Sequence, residues 1–152
     1  MIWIGIDPGL RSGAIAAVDH NGQYVGAYDI AAVQDRIDAR ALKQMILSLT
    51  TPGDDYAICL EQVWTMPKQG IASTGRFMRA FGAIGAVAEL CCERIFYVTP
   101  QVWKKAMSVT SDKNEALVAA RIAFPQATLL LKKDHGKAEA LLIAEYARRT
   151  FS

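Results

Sequence analysis

The chain has 152 residues, 52% apolar and 21% charged, which suits one folded domain and excludes a disordered polyelectrolyte. Its net charge of +2 hides an imbalance: residues 1–75 carry 5 Lys/Arg against 8 Asp/Glu (−3) and residues 76–152 carry 12 against 7 (+5), a pattern expected of a localised surface for a polyanion and not of a general polycation. No apolar run reaches the length of a membrane span, no basic stretch precedes the first apolar run as in a signal peptide, and three cysteines without a C-x-x-C pair argue against a disulfide scaffold or a thiolate metal site, so buried thiols in a reducing cytoplasm are expected.

The first stretch, Met1 to Gly9, reads as a buried strand over residues 2–7 that ends in the only charge of the first ten residues, Asp7, before a Pro8-Gly9 turn. Ser12 to Val18 returns as a second strand. Asn21-Gly22 is a hairpin signal, and Gln23 to Ile30 reads as a third strand. Apolar residues at Ile37, Ala41, Leu42, Met45, Ile46 and Leu49 predict a helix over Asp35 to Leu49, stopped by Thr51-Pro52-Gly53. Tyr56 to Leu60 is a short apolar strand ending on Glu61.

Residues 70–92 read as a long helix rich in glycine and alanine, and glycine in a helix costs about 1 kcal/mol relative to alanine, so several together predict close packing, against this chain or another subunit. Arg94 to Val98 is a final strand. Thr99-Pro100 opens a short helix to about Met107, Ser111 to Glu115 opens another that stops before Pro125, and a last helix spans about Gly136 to Arg149. This order predicts an α/β fold: a mixed five-stranded sheet, three antiparallel strands followed by parallel additions, with helices on both faces.

Each acid has an ordinary reading. Asp7 can be a turn residue, Glu61 an exposed residue past a strand, Asp134 an N-cap and Glu139 an answer to the helix dipole. Those readings do not account for a buried element presenting a carboxylate at three places far apart in the sequence: Asp7, Glu61 and Asp134/Glu139. Clustered carboxylates repel unless a cation lies between them. Mg²⁺ takes oxygen ligands, and two such ions about 3.5–4 Å apart serve phosphodiester hydrolysis. Lys132-Lys133 beside Asp134 suit phosphate contacts, with solvated faces as the alternative for them and for Lys104-Lys105, and Arg76 and Arg79 share a helix face expected to line the same groove.

Ile4-Gly5-Ile6-Asp7-Pro8-Gly9 with Gly13, then Leu60-Glu61-Gln62-Val63-Trp64, then Ala138-Glu139-Ala140-Leu141-Leu142-Ile143-Ala144, resemble the RuvC family of Holliday junction resolvases along nearly the whole chain, and without further insertions its small phage-encoded branch. The resemblance implies one RNase H-like nuclease domain over residues 1–152, located in the host cytoplasm if phage-encoded. It implies a homodimer, with no membrane association, and symmetric nicking of four-way or branched DNA with Mg²⁺ or Mn²⁺. Asp7 and Glu61 match the family's acids, and Glu139 stands where the family usually has an aspartate. Lys104 or Lys105, and Lys113, match its DNA contacts near the scissile phosphate. Trp64 matches an aromatic associated with the junction centre, with ordinary loop packing as its alternative. Lys68, Arg76, Lys132 and Lys133 complete the expected DNA-binding set.

One position departs from the family pattern. The acid (sometimes a histidine) expected three residues before the last aspartate is Gly136 here. Asp134, expected to precede the helix, is the favoured fourth ligand for two ions held with Asp7, Glu61 and Glu139. His135 is the alternative as ligand or general acid/base. An RNA-processing nuclease of the related YqgF type and a non-catalytic branched-DNA binder remain as other readings. An actin-like ATPase would need a second such domain.

Overall fold

The computed structural model describes residues 1–64 and 70–152; the expectation for Lys68 lies outside them. Strands β1 (Ile2–Asp7), β2 (Ala14–Asp19) and β3 (Tyr24–Asp29) form an antiparallel meander. The β2–β3 turn closes at Gly22, whose φ of 79° needs no Cβ, while the Asp19 carboxylate accepts the Asn21 and Gln23 N–H groups at 2.8 Å. A small hairpin follows, β4 (Ala32–Val33) and β5 (Arg36–Ile37), turning on Gln34 and Asp35, both with positive φ.

That hairpin takes the residues assigned from sequence to the start of the first helix. Helix α1 (Ala39–Ser48) begins only after Asp38, whose Oδ1 accepts the N–H groups of Arg40 and Ala41 at 3.1 and 3.0 Å. Strand β6 (Tyr56–Glu61), helix α2 (Ile71–Cys91), strand β7 (Ile95–Val98), helices α3 (Pro100–Ala106) and α4 (Lys113–Ala123), a 3₁₀ turn (Lys132–Asp134) and helix α5 (His135–Phe151) complete the chain.

The main sheet has the order β3-β2-β1-β6-β7, with β6 parallel to β1 and β7 parallel to β6, so the expected mixed five-stranded sheet is present. Its two faces are sorted by the period-two alternation of strand side chains. Ile4, Ile6, Ile15, Ala17, Ile58 and Leu60 pack with α1 and α2. Trp3, Ala14, Ala16, Val18, Ala57 and Cys59 pack with α3, α4 and α5. Helix α5 is apolar on nearly every side and buried from Ala138 to Ala147, as such a sequence requires. Cys59 is buried as expected, whereas Cys91 and Cys92 are only half-buried at the end of α2.

Glu145 is the one charge in the buried middle of α5 besides Glu139. Its Oε2 accepts from Arg148 Nε at 2.7 Å and its Oε1 from Arg149 Nε at 2.6 Å, and Arg148 reaches across to the His20 carbonyl in the β2–β3 turn. Burial alone would raise the Glu145 carboxyl, but the two guanidinium groups outweigh it and hold the carboxyl below its ordinary value. A folded-state value below the unfolded one stabilises at neutral pH, and that contribution disappears as pH falls through the folded value. Glu145→Gln is therefore expected to cost about 1–2 kcal/mol at pH 7. Thermal melts of both proteins should converge as the pH falls below the ordinary carboxylate range, and a gap that persists in strong acid would refute the assignment.

Candidate active site

Strands β1 and β6 run parallel with Ile6 opposite Leu60, so Asp7 and Glu61 end adjacent strands side by side. Alternation turns both toward the α5 face, because Trp3, Ala57 and Cys59, an even number of residues away, belong to the core on that side. Glu139, buried in the second turn of α5, faces the same corner. Two glycines let the helix come this close. A Cβ on Gly5 would lie 2.1 Å from the Ala140 carbonyl oxygen, and one on Gly136 would lie 2.3 Å from the Ser12 carbonyl oxygen.

The three carboxylates act on one another. Burial, then the charges of Glu61 and Glu139, hold the Asp7 carboxyl well above its ordinary value, against the opposing pull of Lys104 and Lys113. Burial also raises the Glu61 carboxyl, and the Glu139 charge adds to it; a hydrogen bond from Trp103 and the Lys104 charge act the other way.

Trp103 and Lys104 come from α3. Glu61 pairs with Val98 at the end of β7, and Thr99-Pro100 turns the chain at once into the helix, so its first turn stands beside Glu61. The Trp103 indole N–H donates to Glu61 Oε1 at 2.7 Å, with both groups buried. Lys104 Nζ donates to Glu139 Oε1 at 2.7 Å and lies 5.1 Å from the centre of the Trp103 ring. Sequence reading missed Trp103. Its signal was an indole one residue before a lysine in a helix opened by Pro100 directly after a strand.

His135 opens α5. Its Nδ1 lies 3.1 Å from the Lys132 carbonyl, which can only accept, so Nδ1 carries the proton and the Nε2 lone pair faces Lys113 Nζ at 3.4 Å. Lys113 is also one of the two cations acting on Asp7, which links His135 to the acid corner through that lysine. Asp134 is engaged elsewhere. Its Oδ2 accepts the Leu131 N–H at 2.7 Å, and its Oδ1 pairs with Lys137 Nζ at 2.8 Å; Lys137 lies 3.7 Å from Asp29 as well. Burial would raise this carboxyl, but Lys137 and the Leu131 amide outweigh it and hold it below its ordinary value. Asp134 is not among the charges acting on Asp7 or Glu61.

The other cations expected to meet DNA are spread over the molecule, and Arg76 does not share the groove of the acid corner. Lys104 and Lys105 line a groove of about 340 Å³ with Pro100, Gln101, Thr110 and Ser111. Lys132 and Lys133 are exposed on the 3₁₀ turn before α5. Arg76 is exposed on α2, beyond the other face of the sheet, and lines a cleft of about 350 Å³ with Arg11 and Asp35. Trp64 is 68% exposed just past β6. The Cys59 thiol, pushed up to about 12 by burial and then by the Glu61 charge, is no nucleophile at neutral pH.

The donor chemistry suits a hard cation. Three carboxylates in a desolvated corner offer oxygen ligands of the kind Mg²⁺ and Mn²⁺ take. As the side chains stand, no three His, Cys, Asp or Glu groups among the described residues close on a single ion, and Lys104 holds one oxygen of Glu139.

The fold has solved counterparts. A Thermus thermophilus RuvC in complex with Holliday junction substrate superposes with a TM-score of 0.71 at 17% identity, covering 98% of this chain and 96% of that one. A second Thermus thermophilus RuvC structure gives 0.64 at 18% identity, covering 99% and 97%. The mixed five-stranded sheet is thus that of an RNase H-like fold of RuvC type. No family model matches the sequence, and no curated protein matches it.

Proposed function

We propose that the chain is a divalent-metal-dependent endodeoxyribonuclease that resolves four-way or otherwise branched DNA as a homodimer. The observation that carries this reading is the corner where Asp7 and Glu61, at the ends of β1 and β6, meet Glu139 of α5 and the like charges oppose ionisation, on a fold shared with proteins whose structures include a complex with Holliday junction substrate. Asp7, Glu61 and Glu139 would hold Mg²⁺ or Mn²⁺. His135 stands beside them as the proton-handling group and not as a ligand, its one free lone pair being that of Nε2, and Asp134 is the weaker fourth ligand because both its oxygens already meet Leu131 and Lys137. When bound, the metal lowers the barrier to hydrolysis by polarising a phosphoryl oxygen and favouring deprotonation of water.

The chain's own residues divide the remaining work. The Trp103 N–H fixes the direction of the Glu61 carboxylate. Lys113 offers an ammonium at the mouth of the acid corner, where charge develops on a phosphodiester under attack. His135 Nε2, its tautomer set by the Lys132 carbonyl, is the atom able to take up a proton. Lys105, Lys132 and Lys133 supply sequence-independent phosphate contacts, so binding should weaken steeply with salt.

A junction with two-fold symmetry calls for two sites related by a two-fold axis. The outward side of α2 suits that contact. Ile71 is 93% exposed and Leu90 86%, and a Cβ on Gly75 or Gly82 would meet nothing within 4 Å. Sedimentation of the protein should give a dimer mass, and Gly82→Arg should give the monomer.

The direct test is cleavage, with Mg²⁺, of a synthetic four-way junction, a linear duplex of the same sequence and a structured RNA. Paired nicks in opposing junction strands are expected. Cutting confined to the RNA would favour RNA processing, and tight junction binding without any cut would favour a non-catalytic binder. Trp103→Phe keeps most of the ring and removes the N–H. It should slow junction cleavage about 10- to 100-fold, with affinity for uncut junction unchanged. Wild-type rates in this variant would remove Trp103 from the site.

A further inference from the structure

Lys104 stands where a cation belongs. Its Nζ is 2.7 Å from Glu139 Oε1, its side chain is only 18% exposed, and its charge acts on both Asp7 and Glu61. It therefore does for three carboxylates what a bound ion would do: it places positive charge among them. Its position is also shaped by its neighbours. The ammonium lies 5.1 Å from the centre of the Trp103 ring, and the same indole holds Glu61 by its N–H. One helical turn thus grips two of the three acids, Glu61 through the indole and Glu139 through the lysine. The same stretch of α3 also lines a groove, with Lys104 and Lys105 beside Gln101, Thr110 and Ser111. A lysine stem is long and flexible enough to exchange an inner partner for an outer one.

We infer that Lys104 is a built-in counter-cation of the acid corner, competing with the divalent ion for Glu139 and released into the Lys104–Lys105 groove, toward a phosphate, once the ion takes its place. The inference rests on the reading of Asp7, Glu61 and Glu139 as a metal site. The contact that an incoming ion would have to displace is the one from Lys104 Nζ to Glu139 Oε1. Its displacement gives the site an order of events. Without metal, Lys104 keeps the carboxylates from driving α5 and the strand ends apart. With metal, the same ammonium becomes free to meet the DNA backbone, so that binding of ion and of substrate are coupled.

The test uses the intact chain, Mn²⁺ as the probe and no DNA, at pH 8. Calorimetric titration should show Mn²⁺ binding Lys104→Met about tenfold more tightly than wild type, since a competing charge is gone, and Lys104→Arg no more tightly than wild type. Metal-free Lys104→Met should melt below wild type, and saturating Mn²⁺ should close that gap. Affinity in Lys104→Met equal to or weaker than that of wild type overturns this inference alone. Absence of Mn²⁺ binding to any of the three proteins overturns it together with the metal-dependent reading. Should Lys104→Met fail to fold, acetylation of wild-type lysines read by mass spectrometry decides. Lys104 should react several-fold faster with Mn²⁺ than without, and equal reactivity overturns the inference.

Discussion

Asp7→Asn should abolish cleavage of a four-way junction while leaving the metal-free protein at least as stable as wild type. The two halves of this expectation share one cause. Asp7 sits in a corner where burial and two like charges, those of Glu61 and Glu139, oppose its ionisation. An amide keeps the shape and removes one of the three charges, so the folded chain loses repulsion and no packing. Gains of about 1 kcal/mol, or roughly 2–4 °C in a melt of a chain this size, are expected. The same change removes a ligand that only a cation makes worthwhile, and a loss of roughly a thousandfold or more in rate is expected. Junction affinity at low salt should change little, because it rests on the surrounding lysines. Most catalytic knockouts that also unfold the protein lose activity without teaching anything about the site. Here a melt that rises while cleavage vanishes would separate a strained functional carboxylate from a structural turn residue. A stabilising Asn with full activity would place the chemistry elsewhere.

The sheet was legible because its strands announce themselves. Ile2–Asp7 and Tyr56–Glu61 are short runs of β-branched, aromatic and small apolar residues bounded by turn residues, and both end on an acid. That ending also made Asp7 and Glu61 legible as neighbours, since parallel strands deliver their ends to one edge. The β4–β5 hairpin was not legible. Gln34 and Asp35 carry none of the glycine signal that usually marks two left-handed residues in a row, and Ile37 happened to fit the helical spacing that follows. Trp103 escaped for another reason. A buried indole reads as core from sequence, and only its N–H, aimed at Glu61 through the register of β6 with β7, gives it a second use. The fates of Asp134 and His135 turned on where a helix begins. Sequence placed the start near Gly136. In the fold the 3₁₀ turn runs directly into His135, Asp134 closes back on Leu131 and Lys137, and the imidazole reaches Lys113.

Gly136→Asp, which restores the acid that the resemblance expects at this position, should damage the site and not complete it. A Cβ there would lie 2.3 Å from the Ser12 carbonyl oxygen, and Ala14 Cβ stands 3.5 Å away on the same side. The obstacle is backbone of the β1–β2 turn, which cannot rotate aside as a side chain can. Either the first turn of α5 lifts from the sheet or the turn after Asp7 is pushed outward, and both displace groups that the acid corner depends on. Overpacking of this kind costs about 1–3 kcal/mol, more where the obstructing atoms are rigid, and an unpaired carboxylate facing a carbonyl adds to it. A drop of roughly 6–12 °C in melting temperature is expected. Gly5→Ala gives the comparison, because its Cβ would meet two backbone atoms of α5, at 2.1 and 2.5 Å, in the middle of the same helix. It should destabilise at least as strongly, and both variants should lose junction cleavage. If Gly136→Asp instead melted with wild type and cut as fast or faster, α5 would have room to spare at its start. The close seating of that helix would then not be what holds Glu139 beside Asp7 and Glu61.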